Sequence, residues 1–137
     1  MPNELLVIED ADVHLSILRK IASQAGFVTT GVRSVEAAAD VLRRHTFDCI
    51  TLDLSLGERS GTEVLRLLAE LKSRAPIIII SASEDGTLEE TVRIGNFLSL
   101  NVYPPFAKPI NLPALRQSLK QIASDTDRQK LIRSAGW

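Results

Sequence analysis

Four consecutive isoleucines, Ile77, Ile78, Ile79 and Ile80, follow Pro76 and end at Ser81. A run this short is strand-sized, and β-branched side chains favour the extended chain. Successive residues of a strand point to opposite faces, so a strand without a polar position must be covered on both sides. That is the situation of a strand in a parallel sheet with helices above and below. Residues 5–8, 27–30 and 47–52 supply further apolar or β-rich runs, and residues 101–103 a short fifth one, cut off by Pro104 and Pro105.

Stretches of helical period lie between these runs. Val13, Ile17, Leu18, Ile21, Ala22 and Ala25 share one face, with Gly26 as the stop. Val35, Ala38, Ala39 and Leu42 repeat the pattern behind Ser34, a good N-cap. Val64, Leu67, Leu68 and Leu71 mark a third helix, residues 87–98 a fourth weakened by Gly95, and Leu112, Leu115, Leu119 and Ile122 a fifth. Alternation of this kind predicts an α/β domain: a doubly wound, five-stranded parallel sheet with helices on both faces. The domain is expected over residues 1–123, with 124–137 as a C-terminal helical extension or linker.

Composition narrows the function. A net charge of −1 gives no basic footprint for nucleic acid. Cys49 is the only cysteine, which excludes an internal disulfide framework and a multi-cysteine metal site. Aliphatic runs are far too short for a membrane span. Met1, Pro2, Asn3 and Glu4 lack the basic and apolar regions of a signal peptide, so a cytoplasmic location is expected.

In open α/β sheets, ligands bind beyond the carboxyl ends of the strands. That edge collects Glu9 and Asp10 after the first strand, Asp53 closing the third, Ser81 closing the fourth and Lys108 just past the fifth. Glu9 and Asp10 could serve merely to cap the first helix, but Asp12 offers a rival N-cap. Three neighbouring carboxylates repel one another unless a proton or cation intervenes. Oxygen ligands without His or Cys favour Mg²⁺. A cation, a lysine and a hydroxyl together can hold a phosphoryl group, and a carboxylate such as Asp53 can form a covalent intermediate. A flavodoxin-type cofactor loop fits poorly, because Glu9 and Asp10 would repel its phosphate, and neither GxxxxGK[ST] nor GxGxxG occurs. A haloacid-dehalogenase-like phosphatase needs a second Asp two residues after the nucleophile, where this chain has Ser55. His14 and His45 fall on helices and are expected in solvent, Cys49 in the packed interior, and Trp137 loosely held at the end.

Residues 5–10, 51–56, Gly61, residues 80–82 and Lys108-Pro109, in that order, resemble the receiver domain of two-component response regulators over roughly residues 4–123. The resemblance implies a flavodoxin-like strand order 2-1-3-4-5. It makes Asp53 the phosphoacceptor, served by a sensor histidine kinase or a histidine phosphotransfer protein. It gives Mg²⁺ to Asp10 directly, to Glu9 through water, to Asp53 and to the carbonyl of Ser55. Ser81 would bond a phosphoryl oxygen, Lys108 would pair with the group, and the Lys108-Pro109 peptide would be cis. Ser55 and Ser83 stand where the family tunes dephosphorylation. The chain would catalyse only its own phosphorylation and dephosphorylation. Its partners would be a downstream protein or output domain, or a second copy through the fourth helix, fifth strand and fifth helix, without direct nucleic-acid contact or membrane insertion.

Two positions depart from the family. Pro105 stands where receivers usually carry an aromatic that turns inward on activation, with Tyr103 and Phe106 nearby but off position. Gly57 stands where a proline is common. Pro105 motivates the alternative of a constitutive interaction module whose switch has decayed.

Overall fold

The structure, a computed structural model, describes residues 2–56, 59–82 and 87–135. Gly57, Ser83 and Trp137, singled out above, lie outside the described residues. The elements in chain order are β1 (Asn3–Ile8), α1 (Asp12–Gln24), β2 (Phe27–Val32), α2 (Val35–Arg44), β3 (Cys49–Asp53), β4 (Ser55–Leu56), β5 (Arg59–Ser60), α3 (Thr62–Glu70), β6 (Ile77–Ser81), α4 (Thr87–Phe97), β7 (Phe106–Ala107) and α5 (Leu112–Ser134). The main sheet has the order β2-β1-β3-β6-β7, and β4 and β5 form a separate two-stranded ribbon. All four pairings in the main sheet are parallel. Without the ribbon this is the expected 2-1-3-4-5 order, a flavodoxin-like sheet.

The isoleucine run explains how the sheet is held. Ile77 and Ile79 join Leu6, Ile8, Ile50 and Leu52 in one cluster, packed against side chains of α2, α3 and α4. Ile78 and Ile80 join Leu5, Val7 and Cys49 in a second cluster, packed against α1 and α5. All four isoleucines are fully buried. Each such burial stabilises the fold by about 1.5–3 kcal/mol, so β6 alone clamps both helical layers to the sheet. Cys49 is packed as expected, and burial pushes its thiol up to about 12.

Helix ends follow local chemistry. The Ser34 hydroxyl accepts the Ala37 N–H at 3.0 Å, and Asn111 Oδ1 accepts the Ala114 N–H at 3.1 Å. Gly26, at φ 99°, takes the left-handed conformation that ends α1. Asp12 is not the N-cap: Ala11 holds that position, and Asp12 lies in the first turn, where its charge faces the helix dipole. Gly95 sits inside α4 because a Cβ there would lie 2.6 Å from Val102 Cγ2. The close approach of α4 to the sheet edge outweighs the helix propensity that glycine forfeits.

The fifth strand differs from expectation. Residues 101–103 make only an isolated parallel bridge, Val102 to Ile77, and the strand proper is Phe106–Ala107. Pro104 and Pro105 have no N–H to donate, so the ladder breaks there and resumes with Phe106 opposite Ile80. Between these contacts the edge uses one residue more than β6 does. That extra residue fixes which side chains face which layer: Val102 packs on the α2–α3–α4 side and Phe106 on the α1–α5 side.

Helix α5 runs well past Ile122, the last residue of the apolar pattern seen in sequence. Its extra turns are tied to the strands. Asn3, only 5% exposed, donates to Asp127 Oδ1 at 2.8 Å and accepts from Lys130 Nζ at 2.8 Å. Lys130 also reaches Asp48 Oδ2 at 3.2 Å. Among the described residues, no helix is long and apolar enough to cross a membrane.

Candidate functional site

Glu9, Asp10, Asp53, Ser81 and Lys108 all stand at the carboxyl edge of the sheet: Asp53 and Ser81 end β3 and β6, and Glu9, Asp10 and Lys108 lie just past β1 and β7. Parallel register puts them there: Ile8 pairs with Leu52, Asp53 with Ile80, and Ser81 with Ala107. Carboxylate oxygens of Glu9, Asp10 and Asp53 lie within 4.8 Å of one another. Glu9 and Asp53 are buried, while Asp10 is partly open. Ser81 is buried at the end of β6, and its carbonyl accepts the Lys108 N–H at 2.9 Å. The peptide between Lys108 and Pro109 is cis.

Lys108 closes the site. Its Nζ lies 2.7 Å from Asp53 Oδ2 and 3.3 Å from Glu9 Oε1. Desolvation works against the charged ammonium, but hydrogen bonding and attraction to Asp53, with Glu9 in support, hold its proton affinity above the ordinary lysine value. Glu9 is pushed the other way chemically. Burial, then the hydrogen bond and charge of Asp53, raise its carboxyl to about 7, against the smaller pull of Lys108 and the Ala11 N–H. Three carboxylates face one lysine here, an excess of negative charge that the lysine does not cancel. A hard divalent cation fits that excess, because the three donors are all carboxylate oxygens and Asp10 leaves an open side for water.

Ser55 lies two residues after Asp53, opens β4 and pairs with Ser60. Gly61 packs closely against the end of β3. A Cβ there would meet Leu54 Cα at 3.1 Å and the Asp53 carbonyl at 3.2 Å, so glycine lets α3 start against the strand end without displacing that backbone.

His14 belongs to this edge, although periodicity placed it simply in solvent. Its side chain is 51% exposed, yet Nδ1 lies 3.6 Å from Glu9 Oε1 and 3.5 Å from Lys108 Nζ. Helical spacing shows which way a side chain points around α1. It does not show that the first turn of α1 passes beside a lysine 94 residues later. Pro105 is exposed at the break in the edge strand, with no inward-turning aromatic in its place.

Fold and site together define a doubly wound α/β domain with an acidic, lysine-bridged centre at its carboxyl edge. The chain belongs to the family of response regulator receiver domains, whose model matches residues 5–120. It is 30% identical over 128 residues to the polar-differentiation response regulator DivK of Brucella anthropi, covering 91% of this chain and 99% of that protein. A response regulator from Colwellia psychrerythraea superposes with a TM-score of 0.80 at 26% identity, over 91% of this chain and 99% of that one. A CheY-like receiver domain protein from Methanospirillum hungatei shares the fold, with a TM-score of 0.79 at 16% identity over 94% of this chain and 99% of that one.

Proposed function

We propose that Asp53 is a phosphoacceptor in a two-component or phosphorelay system, charged by a sensor histidine kinase or a histidine phosphotransfer protein in a Mg²⁺-dependent reaction. The observation that carries this reading is the meeting of Lys108 Nζ with Asp53 Oδ2 at 2.7 Å inside a cluster of three carboxylates. Glu9, Asp10, Asp53 and the Ser55 carbonyl would hold Mg²⁺, which when bound supplies positive charge against the phosphoryl oxygens. A carboxylate oxygen of Asp53 attacks phosphorus, the bond from phosphorus to the donor's imidazole nitrogen breaks, and an acyl phosphate forms. Lys108 moves its ion pair from the free carboxylate to the phosphoryl oxygens, and the Ser81 hydroxyl donates to one of them. Activity is confined to the domain's own phosphorylation and dephosphorylation. The switched surface is the face of α4, β7 and α5, which would engage a downstream protein, an output domain or a second copy.

A second reading, a constitutive interaction module, is favoured by one observation: Pro105 is exposed, and Phe106 leans on the α1–α5 layer instead of toward α4. It predicts phosphate uptake without a change in assembly. Mass spectrometry after incubation with acetyl phosphate and Mg²⁺, beside Asp53→Ala, tests the chemistry. Size-exclusion chromatography on the same samples separates the two readings. A labile gain of one phosphoryl group, absent in the variant, is expected, together with a shift in elution. No uptake overturns the phosphoacceptor reading, and uptake with unchanged elution and partner affinity favours the constitutive module.

A further inference from the structure

The end of the sheet away from Asp53 carries a second site. A cleft of about 630 Å³ opens between the extended part of α5 and the loops that lead into β3 and β6. That volume lies within the range of about 300–1,000 Å³ typical of small-molecule sites. The cleft reaches Ile50, three residues before Asp53 on a chain that rises about 3.3 Å per residue, and neither Glu9, Asp10, Asp53, Ser81 nor Lys108 lines it, so it is separate from the acidic centre.

Its chemistry is the reverse of the carboxyl edge. Lys72, Arg74, Lys130 and Arg133 line it against only Asp48 and Asp125. Both acids are already engaged, Asp48 with Lys130 at 3.2 Å and Asp125 with Arg128 at 2.7 Å. Lys72, Arg74 and Arg133 pair with no carboxylate among the described residues. The remaining lining supplies an apolar floor and rings: Leu68 and Ile122 are buried, and His45, Phe47 and Tyr103 border the space. His45 and Phe47 stand with ring centroids 6.4 Å apart and tilted by 60°. Thr126 and Asn101 add hydrogen-bonding groups.

Two features show that the walls are built. The α5 wall is fastened by the buried Asn3, which bonds both Asp127 and Lys130. On the opposite wall, Lys72 sits at φ 55°, a left-handed position after α3 that glycine occupies at least cost. A lysine there accepts backbone strain and adds a charged side chain to the lining.

We propose that this cleft binds a small organic phosphate with a planar ring body, of the nucleotide type. The ring would lie on the aromatic and aliphatic floor, and the phosphate would meet Lys72, Arg74 and Arg133 at the rim. Binding here is independent of phosphoryl chemistry at Asp53.

The test is amide NMR titration of the full chain with adenosine monophosphate, beside adenosine and inorganic phosphate, all in EDTA so that no cation bridges the nucleotide to the carboxylates. The expected result is saturable shifts in residues 45–48, 71–76 and 126–133, with adenosine and phosphate each weaker by about tenfold or more. Lys72→Gly and Arg133→Gln should each weaken binding by about tenfold while the melting temperature is unchanged or, for the glycine variant, raised. No saturable shift up to ~10 mM overturns the proposal, as does equal affinity in both variants. Phosphate binding as tightly as the nucleotide would overturn the ring assignment. Shifts confined to the neighbours of Asp53 would place the ligand at the other site and overturn it as well.

Discussion

Lys108 Nζ and Asp53 Oδ2 meet at 2.7 Å across 55 residues of sequence, and the same ammonium reaches Glu9, which is wholly buried. One cation therefore serves two buried acids from adjoining strands. Breaking such a group by deleting one partner typically costs about 3–5 kcal/mol, because the remaining charges stay desolvated.

Lys108→Ala should accordingly lower stability, and the loss should depend on pH. Without the ammonium, and with EDTA present to remove divalent cations, Glu9 loses the attraction that lowers its proton affinity and is relieved by holding its proton. Urea unfolding is expected to show a larger drop near pH 8 than near pH 5.5. A drop of the same size at both pH values would show that the pair contributes no buried electrostatic coupling.

Glu9 gives the wild type a pH dependence of its own. The unfolded chain releases this proton near the ordinary carboxyl value of 4.5 and the folded chain near 7. Between those values the folded state holds the extra proton, so stability in EDTA should fall as pH rises through the window and level off above it. The amplitude is on the order of 3 kcal/mol. Glu9→Gln should flatten that slope. Divalent cation affinity should fall as pH drops below about 7, because protonation of Glu9 removes a donor charge. Calorimetric Mg²⁺ titrations at two pH values check the second point.

Gly95→Ala sets helix propensity against packing. Alanine gains about 1 kcal/mol within a helix, but overpacking of a stiff β-branched neighbour typically costs about 1–3 kcal/mol. A built Cβ only 2.6 Å from Val102 Cγ2 makes the steric cost the larger. The single variant should melt lower than wild type. Gly95→Ala combined with Val102→Ala should recover part of the loss, and a stabilised single variant would disprove the close approach.

Asn3→Ala removes the anchor between β1 and the later turns of α5. Hydrogen exchange in residues 126–134 should accelerate at least about tenfold, while β3 and β6 keep their protection. Unchanged exchange there would mean that those turns hold without the anchor.

Much of this was legible in sequence, and the reasons differ by element. Short apolar runs and helical periods revealed the sheet and five helices because burial imposes those patterns directly. The isoleucine run was informative for the same reason, since each of its residues must find cover. Glu9, Asp10, Asp53, Ser81 and Lys108 could be brought to one edge because a parallel sheet puts every strand's carboxyl end on the same side. Residues 101–103 misled because their apolar character promised a strand, whereas pairing is decided by backbone donors that Pro104 and Pro105 lack. His14 was missed because its proximity to Lys108 depends on tertiary packing, which no local period encodes. The later turns of α5 are mostly polar, with Leu131 and Ile132 exposed, and only the bonds of Asn3 and Asp48 show what holds them.

The broken edge also limits how another chain could meet this domain. β7 has two residues, and the segment before it offers two exposed prolines where a neighbouring strand would seek N–H groups. A sheet ending this way cannot be lengthened from that side by another chain. Contacts made there must come from side chains of helices and loops, which are easily remade, and not from a shared backbone ladder. That side of the domain is thereby suited to associations that form and dissolve, and it is protected from fibrous growth.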